Sequence, residues 1–557
     1  MDRREFLKAK RTPSFPKSSV SSVVSPSAAG LNPYTGTFGT VELAHLLKRT
    51  MFGAAKADID YFKSKPLPVI VDELLHPTSP LPPPPVKEYD PTGALVPDNN
   101  IAAGSTWVND PNTDGTITSR RRSSFKKWWT GLMINQDRSI REKLTLFWAN
   151  HFSTETVDIG DSQFVYKHHN LFRTSALGNF KSLVKAVTLD PAMLVYLSGN
   201  NSTLTAPNEN YGRELQELFT IGKANTPNYT EDDVKAAARV LTGWRTSSAT
   251  ISSYYDNTRH DKNNKVFSSF YNTTITPRNT ATAGDLEIDD LLTMIFNKKA
   301  EVSKFIVRKL YRWFCYYDIN ADAEANVIAP LAKIFQDNNW EIVPVLAALF
   351  NSEHFFDTRN RGCLIKSPVD LTIAMCREFN IIFPDVSNYS VAYAMYNSLY
   401  SYTYPMGQNI GDPLNVAGWQ AYYQEPQFHE LWLNNDTLPK RNKFSDVFIA
   451  NGYSTGGSTI KIDPVLFAKS LSNPGDPNAL INDSLDIIFS VPISDESKAS
   501  IKKQILLTGQ INDQYWTDAW IAYLANPLAT GVAYMTVLSR LRSLYKYFME
   551  LAEYQLS

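Results

Sequence analysis

Residues 207–245 read PNENYGRELQELFTIGKANTPNYTEDDVKAAARVLTGWR, and this stretch decides the fold class. Asn208 stands where an N-cap belongs, and Gly222 stands where the first helix must stop. Thr230 and Asp233 have capping-box spacing for a second helix, which Gly243 can end. On the first helix Glu209, Arg213 and Glu217 recur at i, i+4 and i+8, while Leu215 and Leu218 form a separate apolar stripe. Two capped helices carrying ordered charge predict a helical protein with paired side chains or a site on this pair.

The rest of the chain extends the helical reading in both directions. Toward the N-terminus lie VELAHLLKRTMFGA, SSFKKWWTGLMINQ and SIREKLTLFWANHFS, the last opened by Ser139 and Glu142 at capping-box spacing. ALGNFKSLVKAVTLDPAMLVYLSG breaks at Asp190-Pro191 and resumes. Toward the C-terminus the helical pattern returns in RKLYRWFCYYD, and a final helix spaces Val532, Met535, Leu538 and Leu541/Leu544 as a packing face. The predicted fold is mainly α, a large multi-helix body with a small β hairpin and long ordered loops. Residues 1–38 form an irregular leader, and 39–557 form one large helical domain. Three segments interrupt that domain: a Pro/Asn-rich loop at 78–118, a hairpin insertion at 246–280, and an aromatic Gly/Pro-rich lobe at 386–445.

Composition bounds the function. The 557 residues carry a formal net charge of -1, so no excess of Lys and Arg exists to neutralise nucleic-acid phosphates. No run approaches the roughly 20 apolar residues of a membrane span. The opening MDRREFLKAK has the Arg3-Arg4 pair and the following Phe6-Leu7-Lys8 of a twin-arginine export signal, with a thin Val/Ser run in place of a full apolar segment. The expectation is an exported, periplasmic or extracellular protein, with a cytoplasmic one as the alternative. Phosphate-loop, dinucleotide, nucleophile-elbow and HExxH motifs are absent.

Taken in order, LAHLLKRTMFGA, REKLTLFWANHFS, NENYGRELQELFTIG with YTEDDVKAAARVLTGW, HDKNNKVF, RKLYRWF and DPLNVAGW resemble the bacterial family catalogued as domain of unknown function 1800. The resemblance covers about residue 40 to 445 and onward. It implies a predominantly helical, often exported protein, and it brings no reaction with it. Many relatives have histidine where this chain has Phe219.

Two functional readings remain open. In the first, the charged pair of helices is a self-neutralising scaffold, with Arg213 bridging Glu209 and Glu217 and Arg239 meeting Glu214. The protein would then bind an unidentified polysaccharide or partner protein through its aromatic, loop-rich face, with Arg213, Arg239, Trp244 and Trp419 as candidate contacts. In the second it is a hydrolase built on Glu214, Glu217, His260 and Asp261. One form holds a divalent metal on His151, Glu214, Glu217 and His260. The other sets two carboxylates, such as Glu217 and Asp261, across a glycosidic bond.

Overall fold

Helices build the body, and their start signals are the local ones the sequence carries. The structure, a computed structural model, describes residues 30–557 except 91–92, 224–227, 279 and 529; the twin-arginine-like stretch and the rest of residues 1–29 of the expected leader lie outside the described residues. Asp114, Asp161, Asn179, Asp190 and Asp476 each accept backbone N–H groups at a helix start. The fold is mainly α, with three separate two-stranded antiparallel hairpins. Trp244–Ser247 pairs with Ser252–Tyr255, Lys265–Val266 with Thr274–Ile275, and Tyr453–Thr455 with Ser458–Ile460. The predicted insertion at 246–280 therefore holds two hairpins.

Long helices cross at the centre. Gly115–Ile134 packs along Tyr389–Thr403, so the 386–445 lobe contributes a helix of its own to the body. A core of aromatic and aliphatic side chains runs through the molecule, with Trp107, Trp129, Trp148 and Trp516 among its largest fully buried members. Most of the aromatic content is thus packing, not a ligand-lined cleft. Among the described residues no helix is long and apolar enough to cross a membrane.

Three local expectations change. The N-cap of Arg141–His151 is Ile140, without a side-chain cap, because Glu142 turns away to Arg173 in a buried two-point ion pair of 2.6 and 3.0 Å. A charge-assisted pair of that geometry outweighs a capping hydrogen bond. The final helix, Val532–Glu550, buries Val537, Leu541, Leu544, Tyr545 and Phe548 and leaves Val532 and Met535 exposed. Its buried face is therefore rotated from the expected one. Helix Gly115–Ile134 begins eight residues before Ser123, inside the segment read as loop.

The lobe is anchored through DPLNVAGW. Asp412 accepts from the Thr156 backbone and hydroxyl, each at 2.7 Å, and pairs with Lys126. Asn150 Oδ1 accepts from the Trp419 N–H at 2.9 Å. Gly418 sits at φ +92°, and a Cβ there would stand 2.4 Å from that same oxygen, so only glycine lets the strap lie so close to the helix.

Candidate functional site

The helix from Asn208 changes character midway. Glu209–Glu214 is α-helical and Leu215–Thr220 continues as a π turn, a form often found at functional sites. Gly212 allows close contact with the second helix, since a Cβ there would lie 3.2 Å from the Ala238 nitrogen and from the Val234 oxygen. The capping box at Thr230 and Asp233 forms as expected. Asp233 also accepts from the Ser268 N–H at 2.6 Å and hydroxyl at 2.7 Å, which fixes the second hairpin against this helix.

Charge pairing on these helices is extensive, but the partners differ from those expected. Arg213 makes a two-point contact with Glu231 at 2.8 and 2.7 Å and a weaker one with Glu209 at 3.4 Å; Glu217 is not its partner. Arg239 forks onto Asp261 at 2.8 and 3.1 Å instead of meeting Glu214. Asp261 further accepts from the Asn263 N–H at 2.8 Å. Burial would raise the Asp261 carboxyl, but the Arg239 hydrogen bonds hold it below the usual range. This carboxylate is committed to its arginine.

His260 is committed as well. Its Nδ1 donates to the Thr242 carbonyl at 2.9 Å, and its Nε2 faces Glu287 at 3.1 Å. Lys265 Nζ donates to Glu287 at 2.6 Å, and Lys265 and Glu287 are both fully buried. The missing partner, Glu287, lies 26 residues beyond Asp261 on the next helix, where no spacing rule links it to His260. The sealed trio leaves His260 no face toward Glu214 or Glu217.

His151 serves the helix end. Its Nε2 donates to the Phe219 carbonyl at 3.1 Å, and Lys309 donates both to the Leu218 carbonyl at 3.0 Å and to His151 Nδ1 at 3.2 Å. Those carbonyls lie in the last turn before Gly222, where the helix runs out of its own N–H donors, and the imidazole and the amine donate to them. Burial and the neighbouring Lys309 keep the imidazole well below its ordinary pKa. Aromatic rings surround it, Phe152 edge-on at 4.4 Å and Phe219 at 6.0 Å. The proposed metal set of His151, Glu214, Glu217 and His260 is corrected on this geometry. Both histidines spend both nitrogens elsewhere, and no group of three or more His, Cys, Asp or Glu among the described residues is arranged to hold a metal ion.

Lys309 gives a testable pH signature. Burial, and secondarily Arg312, pulls its amine down to about 7. The unfolded chain holds that proton to about pH 10.4. Between those values the unfolded state binds more protons, so this group's contribution to stability rises with pH. Wild type is expected to gain on Lys309→Met by on the order of 1 kcal/mol per pH unit from pH 7 to 9. Parallel urea titrations at pH 6, 7, 8 and 9 measure it; a flat difference would refute it.

Glu214 and Glu217 stay together and half-buried. Burial, then the adjacent Glu217 charge, raises the Glu214 carboxyl. Glu217 accepts from the Tyr229 hydroxyl at 3.4 Å and lies 3.7 Å from Lys223. Of the candidate contact tryptophans, Trp244 is buried against Tyr255 at 5.6 Å, and Trp419 is buried beneath the strap. Neither offers a ring to solvent.

A different site, which no sequence spacing announces, forms where six segments converge. A cavity of about 40 Å³ lies between the ends of Thr40–Thr50 and Lys299–Phe314, Lys143 of Arg141–His151, residues 364–370, and the short turns Gln420–Tyr422 and Phe428–Trp432. Its walls bring together Lys48, Arg49, Lys143, Arg312 and Lys366 with a single acidic side chain, Asp370, which pairs with Lys143. Aromatic rings complete it: Trp313 lies 4.3 Å from Tyr422, and Arg312 stands 5.0 Å over Phe428. Burial pulls the Lys48 amine down to about 7 despite Glu378 nearby, and lowers Lys143, Lys366 and Arg312 too. LLKRT and CLIKSPVD look like ordinary solvated segments in the sequence, and only folding makes them neighbours.

A family model described as "Protein of unknown function (DUF1800)" matches residues 45–556. No curated protein and no solved structure matches the chain.

Proposed function

We infer the function of this chain, which belongs to the DUF1800 family, from its cavity and the lobe above it: it is an exported binding or assembly protein for an extracellular polymer or a partner protein. The observation that carries this reading is the cavity roofed by the 420–432 turns, where rings and cations meet. The same lobe region leaves Ile382, Val386, Tyr404 and Leu414 more than half exposed, apolar area that suits a contact surface. The hydrolase reading retains Glu214 and Glu217 but loses the partners it needs, since Arg239 holds Asp261 and Glu287 with Thr242 holds His260.

The test is retention on extracellular polymer and surface-protein fractions from the native host, for wild type and Tyr404→Ala, with folding checked by circular dichroism. Wild type is expected to be retained and Tyr404→Ala, which removes an exposed ring of the lobe, to bind about tenfold more weakly or worse, as for an aromatic anchor. Undiminished binding by the variant would remove the lobe from the reading. Soluble product released by wild type and abolished by Glu214→Gln would replace it with the hydrolase.

A further inference from the structure

We propose that the cavity beneath the 420–432 turns binds one compact oxyanion, a phosphoryl or sulfuryl group, so that the ligand of the binding reading above is an anionic polymer or partner. The inference rests on that reading for its biological ligand, but not for the site itself.

Hydrogen-bond accounting carries the argument. Four residues that line the cavity each carry a buried side-chain atom with no hydrogen-bond partner: Arg49 Nε, Trp313 Nε1, Lys366 Nζ and His429 Nε2. All four are donors. The ring of His429 fixes its own tautomer, because the Ile365 N–H donates to Nδ1 at 3.1 Å and leaves the proton on Nε2. Burial, with Arg49 beside it, pushes that ring down to about 4, so it is neutral and keeps this single donor. Lys366 is 3% exposed and stands 4.3 Å over the Tyr554 ring, without an acceptor for its ammonium. Elsewhere the orphaned atoms include acceptors, such as Asn200 Oδ1 and Asn351 Oδ1; this wall contributes donors only. Buried polar groups in folded proteins are nearly always satisfied, so a set of donors alone calls for a ligand made of acceptors.

Charge and size narrow the ligand. Five cations against Asp370 leave a positive excess on the wall, partly offset by Glu378, which lies 3.9 Å from Lys48, and by Glu425, 3.8 Å from Arg312. Arg49 also donates Nη2 to the Ser557 carbonyl at 2.8 Å, which leaves its Nε free. Near 40 Å³ the space suits roughly three waters or one oxyanion. The four donors come from four separate segments, and a tetrahedral ion with acceptors on every side can satisfy donors that approach from different directions.

Inorganic phosphate is the probe. Calorimetric titration at pH 7 and fixed ionic strength is expected to give one saturable site on wild type, with chloride inert. Trp313→Phe, which removes one N–H and keeps the ring, should weaken phosphate at least threefold; Lys366→Met should weaken it at least tenfold. Lys333→Met, at an exposed ion pair, should leave it unchanged. No heat with wild type, as when waters or Ser557 already satisfy the wall, overturns the inference, and so does equal affinity in Trp313→Phe and Lys366→Met. Should Lys366→Met fail to fold, Trp313→Phe decides alone. The two readings separate cleanly. Polymer retention lost in Tyr404→Ala without any phosphate site sinks the oxyanion and leaves the binding protein. A phosphate site with retention indifferent to Tyr404→Ala does the reverse. Competition by free phosphate against retained polymer tells a polymer-borne group from the free ion.

Discussion

Replacing Glu287 with alanine is expected to cost about 3–5 kcal/mol of stability, the range for removing one partner of a buried ion pair. Glu287 is wholly buried and receives Lys265 at 2.6 Å, His260 at 3.1 Å and the Arg278 N–H at 3.0 Å. Without the carboxylate, the ammonium of Lys265 stays in a dry site with no counter-charge. The double variant Glu287→Leu with Lys265→Met removes both charges and is expected to recover much of the loss, because the cost lies in the uncompensated charge. A direction in pH follows. Burial alone would raise the Glu287 carboxyl, but the hydrogen bonds from His260 and Lys265 bring it below its ordinary value. Its contribution is therefore present above the unfolded carboxylate range near 4.3 and is lost as the pH falls below it. Urea midpoints of the single and double variants at pH 7 and pH 4 measure all of this. A near-neutral Glu287→Ala would mean that His260 is not held as scaffold, and would return it to the list of reactive groups.

What could be read from residues 207–245 was local. Asn208, Gly222, Thr230 with Asp233, and Gly243 act within three or four residues, and each takes the role its chemistry dictates. Mainly helical architecture follows from the same short-range signals. Partners over long separations were not legible. Arg239 could have met any nearby carboxylate, and the choice of Asp261 over Glu214 is made by the hairpin that returns residue 261 to the helix. The Ser139 and Glu142 spacing had the right form for a cap, yet Arg173, 31 residues on, offered Glu142 the stronger bond. The cavity was least legible. Its cations come from helix ends and loops between residues 48 and 366, and none carries a spacing that marks a ligand. What marks them is the lack of acceptors around their donors, a property of the folded arrangement alone.

Arg121→Met is expected to release the Pro/Asn-rich segment. The sequence marks that segment only as a loop, and in the structure it is tied to the Gly115–Ile134 helix. Arg121 is fully buried and forks onto Asp98 at 2.8 and 2.9 Å, while also donating to the Asp110 carboxylate at 2.6 Å and carbonyl at 2.7 Å. Lys87 adds a donor to the Asp98 carbonyl at 2.7 Å, and Trp107 packs under the guanidinium with its centroid 6.0 Å away. A loop with so little regular structure has few backbone hydrogen bonds of its own, so its order depends on this arginine. Methionine fills much of the volume but leaves Asp98, 1% exposed, as a buried carboxylate without its counter-ion. A local loss of about 3–5 kcal/mol follows. The loss is expected to appear as faster amide exchange and new proteolytic cuts between residues 86 and 110, with the Gly115–Ile134 helix still protected. If those residues stay as protected as in wild type, the anchor lies elsewhere. If the whole protein unfolds instead, the segment is part of the cooperative core, not a strap laid over it.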